Sequence, residues 1–418
     1  MKAKIKLILL LISYVISGAS IIIIAKYLYK QESIGILFFH DWLITLFMFF
    51  SETFALVVYY IKNRKSKSDS KQEIDQAKSE DKLLVAENES KQIPFKKIIF
   101  FTMIASFLDS FATSLGNISL NITKGSYFIF FKSLFLIMII FVISWIKAKI
   151  NKKDKKPIRD HIIGFVVAFI ALILFILSAF IGNKNNYDFI EFIIPFAMMF
   201  IAMILQSIQN LIEENKIRTL MIHQFVFIGF EGVFGFFFNI VLCIIFYFIN
   251  CSNEIKYAEE ICSKDDKGNL KLENSIFAFK QIYENYIILI LLIIMIICFS
   301  VYNMIAISII KYGGALTRGL VENIRTILIW IIFEIPWVSD SLEENFNWFR
   351  LVGVLTIIAS LLFFFSVFKI DEKKTIKSKI SALSFSSINE ISQSDPNDED
   401  DESITKEDNN NLNELENK

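Results

Sequence analysis

The chain has 418 residues, of which 54% are hydrophobic, 44 are phenylalanine and 21% are charged, with no net formal charge; its mean hydropathy is +0.52. The apolar residues come in long unbroken blocks and the charges are segregated between them. That pattern excludes an ordinary soluble domain and a nucleic-acid binder, which needs a basic face.

A membrane span needs about 20 mostly apolar residues. In chain order the sequence predicts ten spans, near 5–29, 36–61, 96–117, 123–147, 160–181, 188–212, 220–249, 284–310, 313–335 and 348–369. The first opens on "MKAKIK", yet its apolar core is too long for a signal peptide and no small-residue cleavage site follows, so a retained helix is expected. The eighth and ninth are split at "KYGGA", where Gly313 and Gly314 suit a tight turn. Residues 63–94 form a charged loop and 371–418 an acidic tail, "DPNDEDDES" included. Neither has the apolar surface to offset ordering entropy, and both are expected to be disordered. The domain plan is therefore spans one and two in 1–62, the loop 63–94, spans three to five in 95–185, a second half in 186–370, and the tail 371–418.

Lysine and arginine set the orientation. Lys2, Lys4 and Lys6, "KNRKSKSDSK" and "KAKINKKDKKPIR" fall on one side of a ten-span chain together with both termini, and that side is expected to be the cytosol. Of the four cysteines, Cys243 and Cys298 lie in apolar blocks. Cys251 and Cys262 share one polar loop and pair there if it faces an oxidising compartment. The sequons at Asn117 and Asn121 lie at a membrane edge, where glycosylation is hard, and the one at Asn88 falls in the cytosolic loop.

"SLNITKGSYFIFFKSLFLIMIIFVISWI" and "SIIKYGGALTRGLVENIRTILIWIIF" echo one another: a polar helix end, a Lys, Gly, then a new helix carrying Lys132 or Arg318 one to two turns in. Internal repeats of this kind are a common transporter plan. An odd number of spans per half would make the copies run oppositely through the membrane.

Charges inside such a chain are informative, because each costs about 2.5–3.5 kcal/mol near a helix centre on insertion scales. Arg318, Glu322 and Arg325 are spaced four and three apart and share one helical face, so Glu322 is placed to bridge both arginines. A face with net positive charge near a helix start suits an anionic solute group. The alternatives are a structural clamp between helices and, for Arg318 nearest the helix start, snorkelling. Asp109 lies within span three and Lys132 within span four. Gln206, Gln209, Asn210 and Glu213 form a stripe on span six. Glu231 lies in span seven and Glu52 in span two. Satisfied interhelical hydrogen bonds explain each alone; one watery path through the bundle explains them together. His40 and His223 sit near span ends and read as interfacial. Gly18, Ser20, Gly313, Gly314 and Gly319 suit close helix approach. There is no P-loop, HExxH or GxSxG, so neither an ATP-driven pump nor a common membrane hydrolase is indicated, and no enzyme activity, cofactor or metal site is expected.

Over roughly residues 5–369 the chain resembles the drug/metabolite transporter superfamily. Within it, the similarity is to the nucleotide-sugar-transporter-like carriers of solute carrier family 35, in their F-type branch. The resemblance is carried by "MFFSE" (48–52), "LDSFATSLGNISLNITKGSYFIFFKS" (108–133), "QNLIEENK" (209–216), "FEGVFGF" (230–236), "ENSIFAF" (273–279) and "LVENIRTILIW" (320–330). It implies an all-α integral membrane fold of ten transmembrane helices in two inverted five-helix repeats, with a central cavity lined by helices four and nine. It also implies alternating access, often as exchange, and residence in Golgi, endosomal, lysosomal or vacuolar membranes. Lys132 stands where such relatives usually carry arginine, keeping the charge without the bidentate grip.

The expectation is a secondary active transporter for a polar, anionic organic metabolite. Lys132, Arg318, Glu322, Arg325, Gln209, Glu213, Asp109 and Glu231 form its substrate site. Its partners are that small organic solute and the lipid bilayer, with no nucleic acid; a homodimer is left open. A non-transporting receptor or scaffold on the same fold is the alternative, and an open channel a third.

Overall fold

A computed structural model describes residues 2–77, 95–150, 159–181, 189–252, 258–264, 268–335 and 348–363. The loop core at 78–94 and the tail from 364 therefore lie outside the described residues, as does the whole expected loop between spans nine and ten, 336–347. The described chain is an all-α membrane protein. Its long helices are α1 (Lys2–Tyr29), α2 (Asp41–Ala77), α3 (Phe95–Ile122), α4 (Gly125–Ile150), α5 (Arg159–Ile181), α6 (Phe189–Thr219) and α7 (Gln224–Tyr247). The short α8 (Ala258–Ile261) and α9 (Ser275–Glu284) follow, then α10 (Tyr286–Gly313) and α11 (Ala315–Phe333). The last described helix is α12 (Trp348–Phe363). Two-residue strands form two antiparallel hairpins, β1 (Glu32–Ser33) with β2 (Ile36–Leu37), and β3 (Ser263–Lys264) with β4 (Leu270–Lys271).

Among the described residues, seven helices are long and apolar enough to cross a membrane: α1, α2, α3, α4, α6, α7 and α10. The described apolar runs of α5 and α12 are shorter. α11 has 19 residues and holds three charges, Arg318, Glu322 and Arg325, which lower its apolarity.

The helices stop where the chemistry says they should. His223, Asn274 and Asn285 cap α7, α9 and α10 by accepting from the N–H groups of Phe225, Phe277 and Ile287. Gly314 takes φ +91°, a conformation costly for any residue with a Cβ, and separates α10 from α11. α11 has no cap of its own, so Glu214 at the end of α6 accepts from the Ala315 N–H at 3.0 Å. Two boundaries depart from the sequence reading. Residues 36–40 belong to a hairpin and its exit rather than to the second span, because Ile34 and Gly35 both take positive φ and turn the chain. α2 also continues to Ala77, into the segment read as a loop.

Helix packing in lipid lacks a hydrophobic drive and rests on close approach and interhelical hydrogen bonds. α7 presents Gly229, Gly232 and Gly235 to α2 on one face; a Cβ on Gly232 would stand 2.8 Å from the Thr53 backbone nitrogen. The pairings are mirrored along the chain. α3 packs on α6 and α7 as α10 packs on α1 and α2, and α4 meets α6 as α11 meets α1. α2 meets α7 and α4 meets α11. α12 meets α5, where the Ser360 hydroxyl donates to the Gly164 carbonyl at 2.8 Å. Exchanging α1–α5 with α6, α7, α10, α11 and α12 in order maps these pairings onto themselves.

On one end of the bundle a small cap covers the helix ends. Cys251 and Cys262 are disulfide-bonded within it. His40 is buried there between Glu273, 2.7 Å from Nδ1, and the Gln281 amide oxygen, 2.9 Å from Nε2.

Candidate solute-binding site

A buried cavity lies among α1, α2, α3, α4, α6, α10 and α11. Four ionisable side chains expected at the site reach it: Asp109, Lys132, Arg318 and Arg325. Gln206, Asn117, Thr113, Tyr302 and Asn303 add neutral polar groups. The space open to the centre of a water molecule is about 70 Å³, short of the roughly 300–1,000 Å³ of ligand pockets. An organic solute therefore needs the helices to part.

α11 supplies both arginines, and their partners differ. Arg325 pairs with Glu322 at 2.5 Å, with side chains 4% and 3% exposed. The hydroxyls of Tyr14 and Tyr302 both donate to the other oxygen of Glu322. Their rings stack at 4.7 Å, and the Arg325 guanidinium lies 5.2 Å from the Tyr302 ring centre. Gly18 makes room for this arrangement: a Cβ there would stand 2.6 Å from Arg325 Cδ and 2.9 Å from Tyr302 Cε2.

Arg318 instead donates to the Asn210 side-chain oxygen at 2.6 Å and lies 3.7 Å from Glu213. The expectation that Glu322 bridges both arginines is thus corrected. Two tyrosine hydroxyls saturate the oxygen that Arg318 would need, and α6 offers Arg318 its own amide and carboxylate. Nor does Arg318 snorkel: it is 7% exposed and faces the bundle.

The expected single constellation divides in two. Gln209, Glu213, Glu231 and Glu322 do not line the cavity. The Gln209 amide nitrogen donates to Glu213 and to Glu231 at 2.8 Å each. Asn303 donates to Glu52 at 2.7 Å. Glu52, Glu213 and Glu231 sit behind the cavity wall, in contact with the lining residues Arg318 and Asn303.

Lys132 is placed otherwise. Its ammonium lies 5.8 Å from the Phe128 ring centre, and among the described residues it makes no hydrogen bond and no ion pair. α4 and α11 hold the two cationic faces together, with the Asn323 amide donating to the Ser133 carbonyl at 3.4 Å. Sequence reasoning missed Tyr14, Tyr302 and Asn303. A tyrosine hydroxyl in an apolar block was the available signal, but its usual place is a membrane interface.

No protein-family model matches the chain. It is 24% identical over 323 residues to "Solute carrier family 35 member F6" of Homo sapiens, covering 77% of this chain and 76% of that one. The Pongo abelii protein of the same name gives the same figures, and the Rattus norvegicus one is 22% identical over 324 residues. The similarity supports membership of solute carrier family 35, in its F-type branch.

The long apolar helices mark a multi-pass membrane protein with lipid around it, and the similarity to proteins named as solute carriers supports a transporter of a small solute. The same similarity points to a transporter.

Proposed function

We propose that the carrier is a secondary active transporter of a polar, anionic organic metabolite, nucleotide-sugar-like or related, working by alternating access. The observation that carries this reading is the unpaired ammonium of Lys132, turned into a cavity that Arg318 and Arg325 also line. A cation held in a membrane interior with no hydrogen bond or contact ion pair, only the more distant Glu322 and Asp109, is costly, and an anionic group on the cargo supplies a closer partner. Arg325 stays tied to Glu322 as a positioning pair, while Arg318 has a neutral amide as its shortest contact and is the arginine more readily recruited.

The mirrored pairings support ten spans in two inverted five-helix repeats, which rock about the cavity to open it on alternate sides. Both termini are assigned to the cytosol on the lysine bias, and the Cys251–Cys262 cap to the lumen of an endomembrane compartment. The test is uptake into proteoliposomes loaded with the same solute, across nucleotide sugars, nucleotides, amino acids and small peptides. Saturable exchange of an anionic member, lost in Lys132→Gln while the variant still inserts and elutes as a single species, is the expected result. Undiminished exchange by Lys132→Gln, or exchange of cationic solutes alone, refutes the proposal.

A further inference from the structure

Four carboxyl groups meet behind the cavity: Glu52 on α2, Asp109 on α3, Glu213 on α6 and Glu231 on α7, with Glu52, Glu213 and Glu231 each no more than 2% exposed. Asp109 alone reaches the cavity. Glu213 and Glu231 take one hydrogen bond each from the same amide nitrogen, at 2.8 Å, so their oxygens lie within about twice that distance of each other. The groups that face them are few. α6 adds Gln209 and Asn210, α10 adds Asn303, α11 adds Arg318, and α4 adds Lys132 from across the cavity. Arg325 is committed to Glu322. Four formal negative charges thus face Arg318 and the more distant Lys132.

Buried like charges this close do not all remain ionised, and in lipid the imbalance is dearer still. The hydrogen bonding points the same way. Gln209, 3% exposed, aims its NH2 at the two glutamates while its own carbonyl oxygen has no donor. The second oxygens of Glu52, Glu213 and Glu231 also have no hydrogen-bond donor. What the cluster lacks is donors, and a proton on a carboxylate turns an acceptor into one.

We propose that Glu213 and Glu231, bridged by Gln209 and backed by Glu52, form a proton-binding site behind the solute cavity. The chemistry is one O–H bond formed on a carboxylate oxygen, with the proton drawn from and returned to water. Arg318 links the site to the cavity, because it lies 3.7 Å from Glu213 and also lines the solute space. Protonation of the cluster weakens its hold on Arg318 and frees the guanidinium for an anion. Proton and anion then bind each other's state more tightly, reciprocally, so the carrier co-transports them. That coupling rests on the anionic-solute reading; the proton site itself does not.

The test needs no solute. Full-length carrier in proteoliposomes is titrated between about pH 4 and pH 9 while the infrared carbonyl band of protonated carboxyl groups is followed. Wild type is expected to show a titrating band that Glu213→Gln and Glu231→Gln each reduce and Glu322→Gln leaves in place. A wild type without a titrating band, or a band that only Glu322→Gln removes, overturns the proposal. Should both glutamate variants fail to fold, Gln209→Leu decides. It keeps both carboxyl groups and removes their shared donor, so a midpoint displaced by about one pH unit supports the site and an unmoved midpoint overturns it.

Discussion

Replacing Arg325 with methionine is the sharpest test of how α11 is held. The side chain fills similar length but removes a guanidinium 2.5 Å from Glu322, with both partners at most 4% exposed. Removing one member of a buried pair costs about 3–5 kcal/mol, chiefly because the other charge is stranded. Loss of the contact with the Tyr302 ring, 5.2 Å away, adds on the order of 0.5–2 kcal/mol. Glu322→Gln alone strands Arg325 and costs a similar amount. The double variant strands neither, and the Gln oxygen still accepts from Tyr14 and Tyr302. Unfolding free energies from denaturant titration in bicelles should therefore show a coupling of at least about 2 kcal/mol, near the top of the range for contacting residues. If each single change costs under about 1 kcal/mol and the double is their sum, the pair does not hold α11 as described.

Other expectations follow from neighbouring geometry. Gly18→Ala puts a methyl group 2.6 Å from Arg325 Cδ, so thermal unfolding should report a loss of about 1–3 kcal/mol from overpacking; an unchanged melting temperature would show that Arg325 swings away freely. Replacing both Cys251 and Cys262 with serine opens a loop closed over a separation of 11 residues. It should lower stability by about 2–3 kcal/mol, and reductant should lower wild type alike while leaving the variant unmoved. Burial, with the ammonium groups of Lys311 and Lys62, holds the His223 imidazole below its ordinary range. Its contribution is full above about pH 6.5 and is lost as pH falls through the lower folded value. Melting curves of His223→Asn, which can keep the cap on Phe225, should decline less toward acid than wild type; superimposable pH profiles would remove His223 from that account.

Much of this was legible in the chain. Each of the ten apolar blocks holds a described helix, seven of them long and apolar enough to cross a membrane, and "KYGGA" broke where Gly314 takes positive φ. Arg318, Glu322 and Arg325 stood out because few charges interrupt an apolar block without cause. Their partners did not. Asn210 lies 108 residues from Arg318 and Tyr14 lies 308 from Glu322, separations that no local pattern encodes. Spacing placed the triad on one face and suggested one shared bridge, whereas tertiary packing gave each arginine its own acceptor. The same limit explains why Glu213 and Glu231, legible as intramembrane carboxylates, could not be assigned to the rear of the cavity wall. The hairpin at 32–37 escaped notice because its strands are two residues each, too short for a period to show.

The central claim is that the cavity binds an anion through Lys132. Equilibrium binding to purified carrier in nanodiscs tests it directly, scanning nucleotide sugars, nucleotides, amino acids and small peptides by thermal shift and titrating whichever stabilises wild type. The account predicts an anionic ligand whose affinity falls about tenfold or more in Lys132→Gln, the loss of one charge-assisted contact, with the unliganded melting temperature held or raised because the costly buried charge is gone. A ligand that is neutral or cationic, or one that Lys132→Gln binds as tightly as wild type, would contradict it.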